Sequence, residues 1–380
     1  MLANNSKNPK EKIQFTEYGI PIRNLWHMLL YAWNEIPLKN HPVMADVESA
    51  PTLDALLASI LMKLMQGRLR IGLGGNYVNE EQTRPAIRGR IDFAESLKQR
   101  AFERGEAVCE FQPYSANAPR NQIIRTTLSR LVQMGQFGPD GNQANILRHG
   151  LRRLVRDLDG IDLIEITPDL IHRQQLSRND SDYRLMLAIC ALILQRQMPT
   201  ESAGRESLPQ IDRDALILHK VYERFVANFY LIHLDGWMVT AQKRLEWHEK
   251  TVANQYLPSM VPDLVLQEKP SSQLVILDTK FTARSLIENQ WGKEIFDSSH
   301  LYQLYAYLKS QEHLSEAHRR ASGILLYPAI HGTFSERIEL QDHVIRIEGI
   351  DLTAPWQDIE TRLLHLISND TKNLDVGHHG

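Results

Sequence analysis

The sequence predicts a multidomain α+β or α/β chain: a mixed α/β front, a helical middle, and a mixed central sheet flanked by helices at the back. Three observations predict it. The chain has 380 residues, more than one hydrophobic core usually serves. Helical periodicity and short alternating runs share the first two hundred residues. Beyond a polar stretch at 197–213, rich in Pro, Gly and Ser, the pattern becomes helix, strand meander, helix and strands. The expected regions are 1–115, mixed α/β; 116–200, helical; and 201–380, the sheet domain.

Each element follows from its own pattern. Residues 1–15 are polar. Residues 23–35 read as an amphipathic helix with Leu25, Met28, Leu29 and Ala32 at helical spacing. Pro51 and Thr52 start a second helix over 52–65, ending near Gly67. Gly-rich alternation over 68–115 predicts strands at 69–73 and 86–93. Helices follow at 121–134, at 145–158 with Arg148, Arg152, Arg153 and Arg156, and at 182–196. In the back region, 215–233 is a helix with Leu218, Val221, Tyr222, Phe225, Val226 and Phe229 on one face. Strands are expected at 238–247, 261–267, 274–281, 323–328 and 344–348, with a helix over 299–310.

The composition excludes several classes. Hydrophobic content is 43% and charged content 23%, a globular balance that disfavours global disorder. Net charge is −3, so the chain is no basic nucleic-acid coat. The balance is uneven: residues 1–204 hold 25 basic and 22 acidic side chains, and 205–380 hold 18 and 24. An acidic back half suits a cation site, and equally a solvated surface. Cys109 and Cys190 lie in no CxxC or zinc spacing and read as reduced packing residues. Without an apolar leader or an 18-residue apolar run, a cytoplasmic protein with no membrane contact is expected. There is no GxxxxGK[ST], HExxH or GxSxG motif.

The strongest chemical signal is Asp263, then fourteen residues, then Asp278-Thr279-Lys280. Leu274, Val275, Ile276 and Leu277 are apolar on both faces, so their strand belongs inside a sheet. Side chains alternate along a strand, which points Asp278 and Lys280 the same way. A hairpin would lay 261–267 beside it and bring Asp263 next to Asp278. Two apposed carboxylates repel, and a divalent cation, Mg²⁺ or alternatively Mn²⁺, is their natural partner. Lys280 would then orient water and offset phosphate charge, which is phosphodiester hydrolysis. The spacing fits equally a surface hairpin with an Asp278–Lys280 ion pair. Gln303 and Tyr307 share a helix face at i, i+4, either as part of such a site or as packing beside Tyr302 and Tyr305. Glu223, on the flank of an apolar helix face, is a candidate third carboxylate or a solvated one. The four arginines of 145–158 suit DNA phosphates, an acidic partner, or solvent.

Four segments taken in order carry a family resemblance: 20–33 (IPIRNLWHMLLYAW), 85–93 (PAIRGRIDF), 121–128 (NQIIRTTL), and the series Asp263, Asp278-Thr279-Lys280, 301–304 (LYQL) and 325–328 (LLYP). With these the chain resembles McrC proteins, the nuclease subunits of McrBC modification-dependent restriction systems. The resemblance implies a PD-(D/E)xK restriction-endonuclease-like domain over 201–380 with Asp263, Asp278 and Lys280 as its motif. Gln303 and Tyr307 match the Gln-x-x-x-Tyr helix of the RecB-like branch. It also implies an amino-terminal region that docks on a hexameric AAA+ GTPase of McrB type, stimulation of that GTPase, and double-stranded, modified DNA as substrate. The competing expectations are a non-catalytic scaffold that activates a partner NTPase and a RecB-like repair nuclease.

Overall fold

A computed structural model describes residues 19–34, 50–77, 80–138, 141–176, 181–197, 210–247, 256, 258–269, 271–281, 286–288, 294–330 and 332–373. The chain forms two compact units, Met1–Thr52 with Pro199–Gly380, and Leu53–Met198. This grouping differs from three consecutive regions: the 20–33 helix belongs with the back of the chain, and 53–115 joins the helical middle.

The first helix, α1 (Ile22–Ala32), buries Ile22, Leu25, Trp26, Met28, Leu29 and Tyr31. Side chains so apolar on most faces need a partner, and they find it in the C-terminal part of the same unit.

In the unit of residues 53–198, α2 (Leu53–Ile71) runs past Gly67. A single glycine costs a helix about 1 kcal/mol, which Arg68, Leu69 and Arg70, good helix formers, tolerate. The helix stops at Gly72, whose φ of +107° leaves the helical region. The strand expected at 69–73 is therefore helix end. β1 (Asn76–Tyr77) pairs with β5 (Tyr114–Ser115). β2 (Glu80–Arg84), β3 (Arg90–Ile91) and β4 (Ala107–Phe111) form an antiparallel sheet of order β2-β4-β3. The strand expected at 86–93 shrinks to β3, because Asp92 caps α3 (Phe93–Lys98) by accepting the Glu95 N–H at 2.9 Å. α4 (Pro119–Met134), α5 (Gly141–Asp157), α6 (Pro168–His172) and α7 (Ser181–Gln197) complete the unit. Buried Asp54 meets Arg196 at 2.7 Å and accepts the Gln136 N–H at 3.0 Å. Cys109 and Cys190 are free and buried.

The C-terminal part opens with α8 (Gln210–His233), which begins earlier than expected and takes 210–213 from the expected linker; 198–209 lie outside the described residues. Its Phe225 and Phe229 rings lie 5.5 and 5.6 Å from Tyr31. Asn24 donates to the Leu352 and Ala354 carbonyls, at 2.7 and 2.9 Å. β6 (Trp237–Ala241), β7 (Leu264–Glu268), β8 (Leu274–Thr279), β11 (Ser322–Ala329), β12 (Ser335–Leu340) and β13 (His343–Asp351) form one mixed sheet of order β12-β13-β11-β8-β7-β6. The strand expected at 238–247 ends at Ala241, since Gln242 turns left-handed at φ +50°. β9 (Leu286–Glu288) pairs with β10 (Glu294–Phe296). α9 (Ser298–Gln311) and the short α10 (Glu316–Arg319) precede β11. α9 covers the sheet with Leu304, Tyr307 and Leu308, packed among Val265, Ile276 and Leu325. α11 (Trp356–Asn373) closes the chain. Neither β12 nor α11 was expected. No helix among the described residues is long and apolar enough to cross a membrane.

Candidate active site

β8 lies inside the sheet, antiparallel to β7 and parallel to β11. All six of its residues are buried, as the apolar run on both faces requires. Leu264 faces Leu277 in the β7–β8 register. One step further along, the same register sets Asp263 opposite Asp278, at the end of both strands.

Asp278 is 3% exposed. Its Oδ2 lies 2.5 Å from the Lys280 ammonium, outside hydrogen-bond angles, so that oxygen has no hydrogen-bond partner. Alternation places Lys280 two residues on, on the same face. The Lys280 backbone N–H donates to the Leu326 carbonyl of β11 at 2.9 Å, which fixes the residue just past the strand. Lys280 Nζ donates to Gln303 Oε1 at 2.7 Å, and Gln303 Nε2 donates to the Tyr307 hydroxyl at 2.7 Å. One turn of α9 therefore aims a row of polar groups at the ammonium.

The Asp263 carboxylate turns onto Thr279. Its Oδ2 accepts the Thr279 N–H at 2.7 Å and the Thr279 hydroxyl at 2.6 Å. Its Oδ1 accepts a longer bond, 3.2 Å, from Gln242, and the same amide donates to Glu223 on α8. The structure thus brings together Asp263, Asp278, Lys280, Gln303, Tyr307 and Glu223. Asp263 and Asp278 meet less directly than the sequence suggested: Asp278 takes a hydrogen bond from the Asp263 backbone, and the two carboxylates interact through charge. The Asp278–Lys280 ion pair is present, but it is buried rather than displayed on a surface hairpin.

Electrostatics follow from this crowding. Burial first, and the Asp263 charge second, push the Asp278 carboxyl up to about 6, against the pull of Lys280. Burial, then Asp263, also raises Glu223. His219, one turn before Glu223 on α8, is lowered by burial, with Asp263 opposing that shift and Lys280 adding to it. Burial and Lys280 likewise lower His300, which shares a 2.9 Å hydrogen bond with the Tyr327 hydroxyl of β11.

The donor set fits a hard divalent cation. It offers two carboxylates and no thiolate or imidazole in the first rank. Two carboxylates are the usual complement for Mg²⁺, which keeps much of its water. Among the described residues no group of three or more His, Cys, Asp or Glu forms a ready-made metal cage.

Sequence reasoning missed Gln242, which bridges two carboxylates from a left-handed turn, and it left Thr279 without a role. No pattern marks Gln242. His219 was missed as well, although its i, i+4 spacing to Glu223 on one helix face could have marked it.

Fold and site together define an α+β protein that gathers acidic and basic side chains where paired interior strands end. A family profile described as "McrBC 5-methylcytosine restriction system component" matches residues 4–328. The chain is 26% identical over 358 residues to the Escherichia coli (strain K12) "Type IV methyl-directed restriction enzyme EcoKMcrBC", covering 93% of this chain and 99% of that protein. Its fold is similar to a solved structure of Thermococcus gammatolerans McrB AAA+ hexamers with bound McrC. The TM-score is 0.57 and the identity 15%, over 92% of this chain and 76% of that one. The chain belongs to the McrBC restriction-system family.

Proposed function

We propose that this chain is the DNA-cleaving subunit of an McrBC-type system: a Mg²⁺-dependent endodeoxyribonuclease with a PD-(D/E)xK domain. It would act on modified double-stranded DNA, dock on a hexameric AAA+ GTPase of McrB type, and stimulate that GTPase. Family membership supports the system; the partner is read from the relative solved bound to McrB AAA+ hexamers. The observation that carries the nuclease reading is the buried Asp278–Lys280 pair beside Asp263 at the ends of β7 and β8.

Asp263 and Asp278 would hold the ion, Mn²⁺ serving as a substitute. Bound there, Mg²⁺ supplies Lewis acidity and offsets the charge of a scissile phosphate. Lys280 presents a fixed positive charge to the phosphate and orients the attacking water. Gln303 and Tyr307 hold that ammonium in place. Glu223, raised by burial and by Asp263, holds a proton more tightly than a free glutamate and stands beside the site through Gln242.

Lys280→Ala tests the assignment. Cleavage of methylated plasmid, with the AAA+ partner, GTP and Mg²⁺, should fall at least a hundredfold, on the scale of losing one charge-stabilising group, while GTPase stimulation persists. Undiminished cleavage would remove Lys280 from the chemistry. The donors already engaging Asp263 favour one second reading, a non-catalytic activator of a partner NTPase. That reading requires wild-type protein to stimulate GTP hydrolysis without ever cutting DNA.

A further inference from the structure

Charge is strongly segregated in the unit of residues 53–198. Residues 119–157, spanning α4 and α5, hold seven arginines, no lysine or glutamate, and two aspartates: a net +5 within a chain of net −3. Packing absorbs part of this. Arg120 is buried and donates to the Gly75 carbonyl at 2.8 Å. Arg125 pairs with Asp159 at 3.4 Å. Arg148 lies 5.5 Å over the Phe137 ring and donates to the Gly135 carbonyl at 3.3 Å.

Arg152, Arg153 and Arg156 behave otherwise. All three are exposed, and among the described residues none of their side chains makes a hydrogen bond, ion pair or ring contact. At about 100° per residue, Asn142, Asn145, His149, Arg152, Arg153 and Arg156 fall within roughly a 100° arc of α5. Every residue in that arc is exposed, and none is acidic. The opposite face buries Ala144, Leu151 and Leu154, so the helix cannot rotate to hide its cations. The arc runs about 21 Å along the helix axis, at 1.5 Å per residue. An unneutralised row of guanidiniums flanked by amide side chains complements a polyanion that offers one phosphate per roughly 3.4 Å of each strand.

We propose that this exposed face of α5 is a contact surface for the phosphate backbone of duplex DNA. The proposal rests on the reading of the chain as a DNA-acting protein, and it assigns the contact to the unit that does not hold the Asp278–Lys280 site. It predicts binding without sequence preference, because phosphates carry no base information.

The test is fluorescence anisotropy of full-length protein on a labelled unmethylated duplex, in EDTA, from 50 to 200 mM salt. Each phosphate neutralised contributes about 0.9 to the slope of log affinity against log salt. Combined R152A, R153A and R156A should therefore flatten the slope by about 2.7. Across that salt range the wild type then loses about 40-fold more affinity than the variant. The charge-preserving R152K, R153K and R156K combination should keep the wild-type slope. An unchanged slope in the alanine variant overturns the proposal, as does wild-type protein that fails to bind duplex at 50 mM salt. Retained DNA binding with lost GTPase stimulation would make the face a docking surface for an acidic protein instead. Cleavage plays no part in this measurement, so its outcome is independent of the Lys280→Ala result.

Discussion

Removing the charge from Asp278 should stabilise the ion-free protein even as it ends cleavage. Asp278 is 3% exposed, and its carboxyl is pushed up to about 6 by burial and then by Asp263. In the unfolded chain an aspartate titrates near about 3.9. The folded value is the higher one, so the folded protein holds this proton more tightly. Below about pH 4 the group costs nothing. The cost then grows by about 1.4 kcal/mol per pH unit and levels off near 3 kcal/mol above pH 6. Asp278→Asn abolishes this penalty, and its side-chain oxygen can still accept the Asp263 N–H. Lys280 loses its anion but keeps Gln303, which takes back part of the gain. The expected net effect is about 1–3 kcal/mol of added stability at pH 8, shrinking towards zero near pH 4.5. Urea unfolding in EDTA at both pH values, followed by tryptophan fluorescence, measures it, with Mg²⁺-dependent cleavage assayed on the same preparations. A variant less stable than wild type at pH 8, or a gain of equal size at both pH values, would refute the reasoning.

Three further outcomes follow from particular residues. Gln242→Ala removes the amide shared by Glu223 and Asp263, and cleavage should fall on the order of tenfold. Because Gln242 sits at φ +50°, Gln242→Gly should be about 1 kcal/mol more stable than Gln242→Ala in parallel unfolding curves, and equal stabilities would contradict the strain. Asp54→Asn removes the carboxylate charge 2.7 Å from the largely buried Arg196 guanidinium, and thermal unfolding should report a loss of about 3 kcal/mol. A drop below about 1 kcal/mol would show that the pair contributes little.

Much of the site was legible because two local rules suffice for it. Four consecutive apolar residues, 274–277, require a strand buried on both faces. Strand alternation then aligns Asp278 with Lys280, and helix periodicity aligns Gln303 with Tyr307. What could not be read depends on turns and on distant packing. Asp263 lies just outside β7, so its carboxylate is aimed by Thr279 and Gln242 rather than by the pleat. Gly67 suggested a helix end and the Gly-rich stretch after it a strand, but Gly72 adopts the positive φ that ends α2, and Gly67 simply rides within the helix. The arginine cluster of α5 read as one group of four. Burial divides it, because Arg148 finds an aromatic ring and a carbonyl while its neighbours one turn on find solvent. The apolar 20–33 segment looked like the start of a front region. No local pattern could announce that its partners, Phe225, Phe229 and the Leu352 carbonyl, lie some two hundred to three hundred residues away.

That long-range pairing governs how the gene can be cut and rejoined. The segment 53–198 interrupts a unit whose halves lie on either side of it. Deleting everything before residue 200 would remove α1 and strip Tyr31 from the aromatic face of α8, and each such loss of burial is worth about 1.5–3 kcal/mol. A shortened protein of that kind would expose a sticky apolar wall rather than yield a freestanding domain. Exchange of the middle segment between relatives therefore requires two recombination points, one on each flank.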